Sequence, residues 1–167
     1  TQDTSSAASD VYKRQDIKGA RFWRGAKTAL EEDLQNVVFV RAQIELLEYA
    51  FAAKEVSEIW ITFPDPQYKF KRVHHRLTNP TFLRSYRNVL KSDGCVHLKT
   101  DSAFLHGYTL GILDGWRISP KMAHHDVYQY VHAPEEVISI QTFYEQQYLQ
   151  KNIPITYLKF SFYTDVP

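Results

Sequence analysis

Helices and strands that alternate along the chain with short connections predict an α/β fold in three layers, a sheet between helices with right-handed crossovers. Two further observations support it. Short β-branched or apolar runs, such as Val37-Val38-Phe39-Val40, are what a buried strand requires. Segments between them carry apolar residues at helical spacing, as in Phe82, Leu83, Tyr86, Val89 and Leu90.

The elements are read in order. Asp16-Ile17-Lys18-Gly19 reads as a strand end turning into a helix. Trp23, Ala26, Leu30 and Leu34 recur with helical period from Ala20 onward, and Asn36 closes that helix before the strand at Val37. Gln43 to Ala53 is predicted helical, with Ile44, Leu47 and Phe51 in register. Val56 to Phe63 is predicted as a strand, stopped by Pro64 and Pro66. A polar loop follows. Asn79-Pro80 then supplies an N-cap and a first helical residue. Asp93-Gly94 turns into a strand at Cys95 to Leu98, and Asp101-Ser102 opens a helix that ends near Gly115. Strands are expected at Trp116 to Ile118 and at Tyr128 to Val131, a helix from Thr142, and a closing strand from Ile155 to Tyr163.

Bulk properties narrow the classes of function. With 167 residues, 44% of them hydrophobic and 23% charged, the chain has the composition of one globular domain. It carries no apolar run of the roughly 20 residues that a membrane helix needs. A lone cysteine, Cys95, excludes an internal disulfide and a cysteine-rich zinc site, which reads as a cytoplasmic protein. Thr1 to Gln15 is rich in Ser, Ala and Asp and resembles a translated adaptor. We set it apart as a non-native leader, treat 16–167 as a partial domain, and expect the native chain to begin upstream of Asp16.

Charge is concentrated. Between Pro64 and Ser92 seven basic residues face one acid, a local charge of +6 in a chain of net charge +1. Such a run suits a polyanion, although on charge alone a solvated loop and helix surface is the commoner source of it.

Ligands of three-layer α/β sheets bind beyond the carboxyl ends of the strands. Two such ends carry chemistry here. Phe63-Pro64-Asp65-Pro66 fixes a carboxylate between two prolines, and Lys69, Lys71, Arg72, His74, His75 and Arg76 follow it. Read alone, it is also a proline-rich turn whose aspartate accepts loop N–H groups. Lys99-Thr100-Asp101-Ser102 places a second carboxylate, or simply a helix N-cap, at the other end. Thr142 and Glu145 have the spacing of a capping box. His74-His75 and His124-His125 supply no third ligand at a fixed offset, so no metal site is expected.

Taken in order, Phe63-Pro64-Asp65-Pro66, Arg76-Leu77, Phe82-Leu83, Leu90 to Gly94, Thr100-Asp101 and Thr142-x-x-Glu145 resemble the tRNA (guanine-N7-)-methyltransferases. The resemblance runs from Asp16 to about Tyr163. It implies a Rossmann-like class I fold dependent on S-adenosyl-L-methionine, with tRNA as partner and guanine N7 of the variable loop as substrate. It implies Asp65 as the catalytic aspartate, with Asp16, Gln43 and Asp65 toward the cofactor. Lys69, Asp101, Thr142 and Glu145 become substrate-binding. Lys71, Arg72, His74, His75 and Arg76 become contacts to RNA phosphates. A monomer is expected.

Departures accompany it. Gln43 stands where the family has an acidic residue, and Gln67 where it has tryptophan, with Tyr68 beside it as an aromatic face. The glycines, at 19, 25, 94, 107, 111 and 115, form no Gly-x-Gly loop, so the first strand and its glycine-rich turn are expected to be absent. Competing readings are a non-catalytic RNA-binding protein, an inactive fragment of the fold, and an enzyme of the same fold acting on a protein or small molecule.

Overall fold

The computed structural model describes residues 12–15 and 19–162, which fall into two compact units, 1–47 and 48–167. In the first, β1 (Tyr12–Gln15) pairs in parallel with β2 (Val37–Val40), and α1 (Gly19–Glu31) lies between them in sequence. β1 falls in the segment set apart as a leader. Gly25 is small for a reason of packing, since a Cβ there would stand 3.0 Å from the Phe39 ring. The helix expected from Gln43 to Ala53 is shorter, a 3-10 turn at Ile44–Leu46 continued by α2 (Leu47–Ala50).

The second unit holds a four-stranded mixed sheet. Its strands are β3 (Val56–Thr62), β4 (Leu90–Thr100), β5 (Met122–His124) and β6 (Thr156–Phe160), in the order β3-β4-β6-β5. β3 and β4 are parallel, and β6 runs antiparallel to both β4 and β5. The strands of the described residues thus divide between two sheets instead of forming one. β4 is buried without interruption from Gly94 to Thr100, as befits a strand paired on both edges. At its entry the ladder shifts register, and Gly94 answers that crowding. A Cβ there would meet the Ser57 carbonyl oxygen at 2.9 Å and that of Lys91 at 3.0 Å.

Helices α3 (Pro80–Val89), α4 (Ala103–Gly115), α5 (Glu135–Ser139) and α6 (Phe143–Gln150) complete the unit. The expected cap of α3 is present: the Asn79 side chain accepts from the N–H groups of Thr81 (2.8 Å) and Phe82 (3.1 Å). The strand expected at Trp116 to Ile118 is not there. Arg117 takes a left-handed φ of 57° and donates to the Asp114 carbonyl, while Ile118 donates to that of Leu113. These backbone groups are consumed in closing α4, so the edge strand starts later, at Met122. The strand expected at Tyr128 to Val131 is likewise a 3-10 turn over Val127–Gln129, because Asp126 accepts from the Tyr128 N–H at 3.1 Å.

Two buried histidines sit in this sheet region. His97 shares a 2.8 Å hydrogen bond with the Tyr157 hydroxyl, stacks 3.9 Å from Trp60, and lies 3.7 Å from Glu58. Burial pushes its pKa down to about 4, against the pull of Glu58, and burial lowers that of His106 too. Both rings are therefore neutral in the fold near neutral pH, whereas the unfolded chain takes up protons as pH falls through the ordinary histidine range. Stability present above pH 6.5 is lost on acidification, with about 2 kcal/mol gone at pH 5 from His97 alone. Urea unfolding between pH 7.5 and 5 should show this slope, and His97→Phe should flatten it; an unchanged slope in the variant would refute the assignment.

Candidate active site at the ends of two parallel strands

The ladder between β3 and β4 closes with Ile61 opposite Leu98 and Thr62 opposite Lys99. One more bond follows, from the Phe63 N–H to the Lys99 carbonyl at 2.8 Å. The two chains then leave the same sheet edge, one into Pro64-Asp65 and the other into Thr100-Asp101. Parallel pairing in this register places both carboxylates at adjacent strand ends, where ligands of such sheets bind.

The first exit is strained. Phe63 adopts φ 48°, a left-handed conformation that a bulky aromatic residue avoids, and Gln67 does the same. Phe63 tolerates it because its N–H is fixed by Lys99 and its ring lies 6.0 Å from that of Tyr148, in a cluster built on Val127, Val137, Ile155 and Tyr157. Asp65 is exposed, and one of its oxygens accepts from the Gln67 N–H at 2.9 Å. This Asx turn fixes the carboxylate and leaves its second oxygen toward solvent.

The basic loop divides into two kinds of residue. Lys69, Lys71, Arg72, His74 and His75 are exposed along a 3-10 turn at Phe70–His75. Arg76 differs from the expectation of a phosphate contact. It is only 5% exposed, and its guanidinium donates to the Gln67 carbonyl from Nε (3.2 Å) and Nη2 (3.1 Å). Its charge lies over two rings of α4, 4.7 Å from the centre of Phe104 and 4.4 Å from that of Tyr108. A guanidinium so enclosed braces the loop that carries Asp65 and presents no free fork to RNA.

At the second exit Asp101 is half-buried, and Ser102 caps α4 by accepting from the Leu105 N–H at 3.2 Å. The Tyr68 hydroxyl stands 3.4 Å from that of Ser102, joining the two loops. Burial first, then the Asp101 charge nearby, raises the Tyr148 pKa above the ordinary phenol value.

Thr142 and Glu145 form the capping box that their spacing suggests. Glu145 is fully buried: Oε1 receives Lys99 Nζ at 2.5 Å and the Tyr128 hydroxyl at 2.6 Å, while Oε2 accepts from the Thr142 N–H at 3.2 Å. Lys99 also donates to the carbonyls of Val137 and Ile140. Burial and the Glu145 charge push the Tyr128 pKa well up. Thus Asp65 and Asp101 leave one sheet edge, Lys69 is exposed in the loop that follows Asp65, and Glu145 reaches that edge from inside, through Lys99. Gln43 lies in the first unit, preceding its 3-10 turn, and Asp16 lies outside the described residues. Tyr148, Lys99 and the inward role of Arg76 escape a reading of the sequence, because each depends on pairings far apart in the chain.

Among the described residues, no group of three or more His, Cys, Asp or Glu side chains stands where it could hold a metal ion. Nor is any helix among them long and apolar enough to cross a membrane.

In fold, the chain is similar to solved methyltransferases. An rRNA methylase from Streptococcus thermophilus superposes with a TM-score of 0.57 at 10% identity, over 90% of this chain and 72% of that one. A SAM-dependent methyltransferase from Aquifex aeolicus does so with a TM-score of 0.54 at 10% identity, over 90% and 68%. A methyltransferase family described as "Putative methyltransferase" matches residues 17–158. A tRNA (guanine-N(7)-)-methyltransferase of Christiangramia forsetii is 67% identical over 145 residues, 87% of this chain and 65% of the relative. One of Cytophaga hutchinsonii is 40% identical over 149 residues, 88% of this chain and 67% of the relative. The chain belongs to the tRNA (guanine-N(7)-)-methyltransferase family. It spans 65% of the Christiangramia protein and 59% of a relative from Porphyromonas gingivalis that is 47% identical.

The brace can be tested directly. Arg76→Lys keeps the charge but loses the planar fork and both ring contacts, and should cost about 1–3 kcal/mol of stability. It should also speed proteolysis within 64–76. Equal stability and equal cleavage would show that Arg76 is dispensable to the loop.

Proposed function

We propose that the chain carries the substrate-binding and catalytic edge of an S-adenosyl-L-methionine-dependent enzyme that methylates guanine N7 in the tRNA variable loop. The compartment in this reading is the cytoplasm, in keeping with a lone, unpaired cysteine. One observation carries the reading: Asp65 and Asp101 leave adjacent parallel strands at the same edge, and an exposed cationic loop continues from Asp65. The names of the relatives support the choice of tRNA and of N7.

Guanine N7 is a lone-pair acceptor without a proton. The attacking atom therefore needs no base, and the protein has two tasks, to align N7 and to offset the positive charge that grows on the ring. Asp65, held by its turn and by the Arg76 brace, and Asp101, held at the α4 cap, are fixed carboxylates suited to both. The bound cofactor would supply an electrophilic methyl group. The residues described here fit its sulfonium end, where the exposed Asp65 oxygen offers negative charge. Asp16, outside the described residues, and Gln43, in the first unit, are cofactor candidates by the resemblance alone. Lys69, Lys71 and Arg72 extend into solvent and would meet phosphates, with His74 and His75 beside them.

Asp65→Asn should lower turnover on unmodified tRNA by about 100-fold to 1000-fold while leaving tRNA affinity near its starting value. Near-normal turnover would remove Asp65 from the chemistry.

The affinity for tRNA should fall steeply with salt. Lys71→Ala combined with Arg72→Ala should reduce the slope of log K against log salt by about 2. A filter-binding series between low and moderate salt checks this; an unchanged slope means that the loop does not hold the RNA.

A further inference from the structure

Glu145 cannot serve a substrate directly in this arrangement. Both of its oxygens are engaged and it has no exposed surface. Yet it lies one strand residue and one ion pair from Asp101, because Lys99 and Thr100 end β4 immediately before Asp101. With position 145 turned inward on α6, Tyr144 and Tyr148 become neighbours on another face of the helix, four residues apart. The Tyr148 ring lies 6.0 Å from that of Phe63, whose N–H bonds the Lys99 carbonyl. It therefore stands at the strand ends from which Asp101 departs, with the Asp101 charge and the phenols of Tyr144 and Tyr68 within electrostatic reach. Tyr68 arrives from the basic loop, tied to Ser102 and tilted against Phe104 at 5.2 Å. Tyr68 and Tyr144 are exposed, at 66% and 38%.

Resting on the guanine reading above, we propose that Lys99 is a positioning residue. Its buried ion pair with Glu145 seats α6 so that Tyr148, with Tyr68, presents a specificity surface for the guanine base at Asp101. The Thr-x-x-Glu motif then works from inside the fold. The recognition chemistry follows from the groups present. A carboxylate accepts from the N1–H and exocyclic amine of guanine, a pair of donors that adenine lacks. Tyrosine faces stack on any purine, and their attraction strengthens as the ring becomes cationic.

Removing one member of a buried ion pair leaves an uncompensated charge, so single substitutions would confuse position with folding. Lys99→Met with Glu145→Gln removes both charges at nearly constant volume and keeps an acceptor for the Thr142 N–H. Tyr148→Leu removes the half-buried ring without touching the pair. Three readouts on the full chain separate the possibilities: melting temperature, tRNA methylation kinetics, and the NMR signal of ring-labelled Tyr148, identified by its loss in Tyr148→Phe. In the unsubstituted chain that signal should respond to millimolar GMP and not to AMP. The double variant should remain folded, lose at least tenfold in kcat/KM, and show Tyr148 titrating closer to an ordinary phenol, as Asp101→Asn should also do. Tyr148→Leu should lose a similar factor.

A folded double variant with unchanged kinetics and unchanged Tyr148 titration overturns the positioning role. Unchanged kcat/KM in Tyr148→Leu overturns the specificity role, whether or not the double variant folds, and so does a Tyr148 signal indifferent to GMP. Absence of methylation by the unsubstituted chain overturns the functional reading instead, and the GMP response is read independently of it.

Discussion

Parallel pairing of β3 with β4 is the constraint on which the site rests. Side chains alternate along β4, so a slip of one residue would turn Lys99 away from Glu145 and His97 away from Tyr157. The register that buries these groups is also the one that ends both strands together, with Phe63 bonded to Lys99. The left-handed backbone at Phe63 is sustained by that bond and by ring packing, and it turns the chain into Pro64-Asp65. Packing in the interior and the aim of two carboxylates at the surface thus follow from a single ladder.

Charge along the basic segment is used in two ways. Arg76 and Arg84 turn their guanidinium groups onto aromatic rings, Arg84 lying 5.7 Å from the Trp116 ring. Lys69, Lys71 and Arg72 stay in solvent. Arg84 remains exposed on α3, and Arg76, the one buried basic residue of the segment, stiffens the loop that carries Lys69, Lys71 and Arg72, so a count of +6 overstates by one the charge offered to a polyanion. Sequence shows the charges, and only burial sorts them.

Local signals were the legible ones. The Asn79-Pro80 cap, the β3 run stopped by Pro64, the Ser102 cap and the capping box at Thr142 each depend on a few neighbouring residues, and each stands where the sequence places it. The carboxyl edge itself was legible too, because α/β alternation implies parallel strands and hence a shared exit. What escaped was decided by distant partners. Lys99 and Glu145 are 46 residues apart by number, and Arg76 meets rings on a later helix. The apolar pattern at Trp116 to Ile118 resembles a strand, but the left-handed Arg117 claims those backbone groups for the end of α4. The Thr142 and Glu145 spacing carried two readings, and the buried geometry favours a structural box with a functional consequence.

A carboxylate held by an Asx turn is poorly suited to move a proton and well suited to hold a direction. Asp65 has one oxygen committed to the Gln67 N–H, in a loop braced by Arg76. For a reaction that had to strip a proton from its nucleophile, that commitment would be a handicap. Attack by a purine nitrogen that already bears a free lone pair asks only for fixed alignment and fixed negative charge, and such charge acts best when nothing must reorganise during the reaction. The rigidity of this edge, built from prolines, an Asx turn, a caged guanidinium and a buried ion pair, therefore suits the N-methylation proposed above.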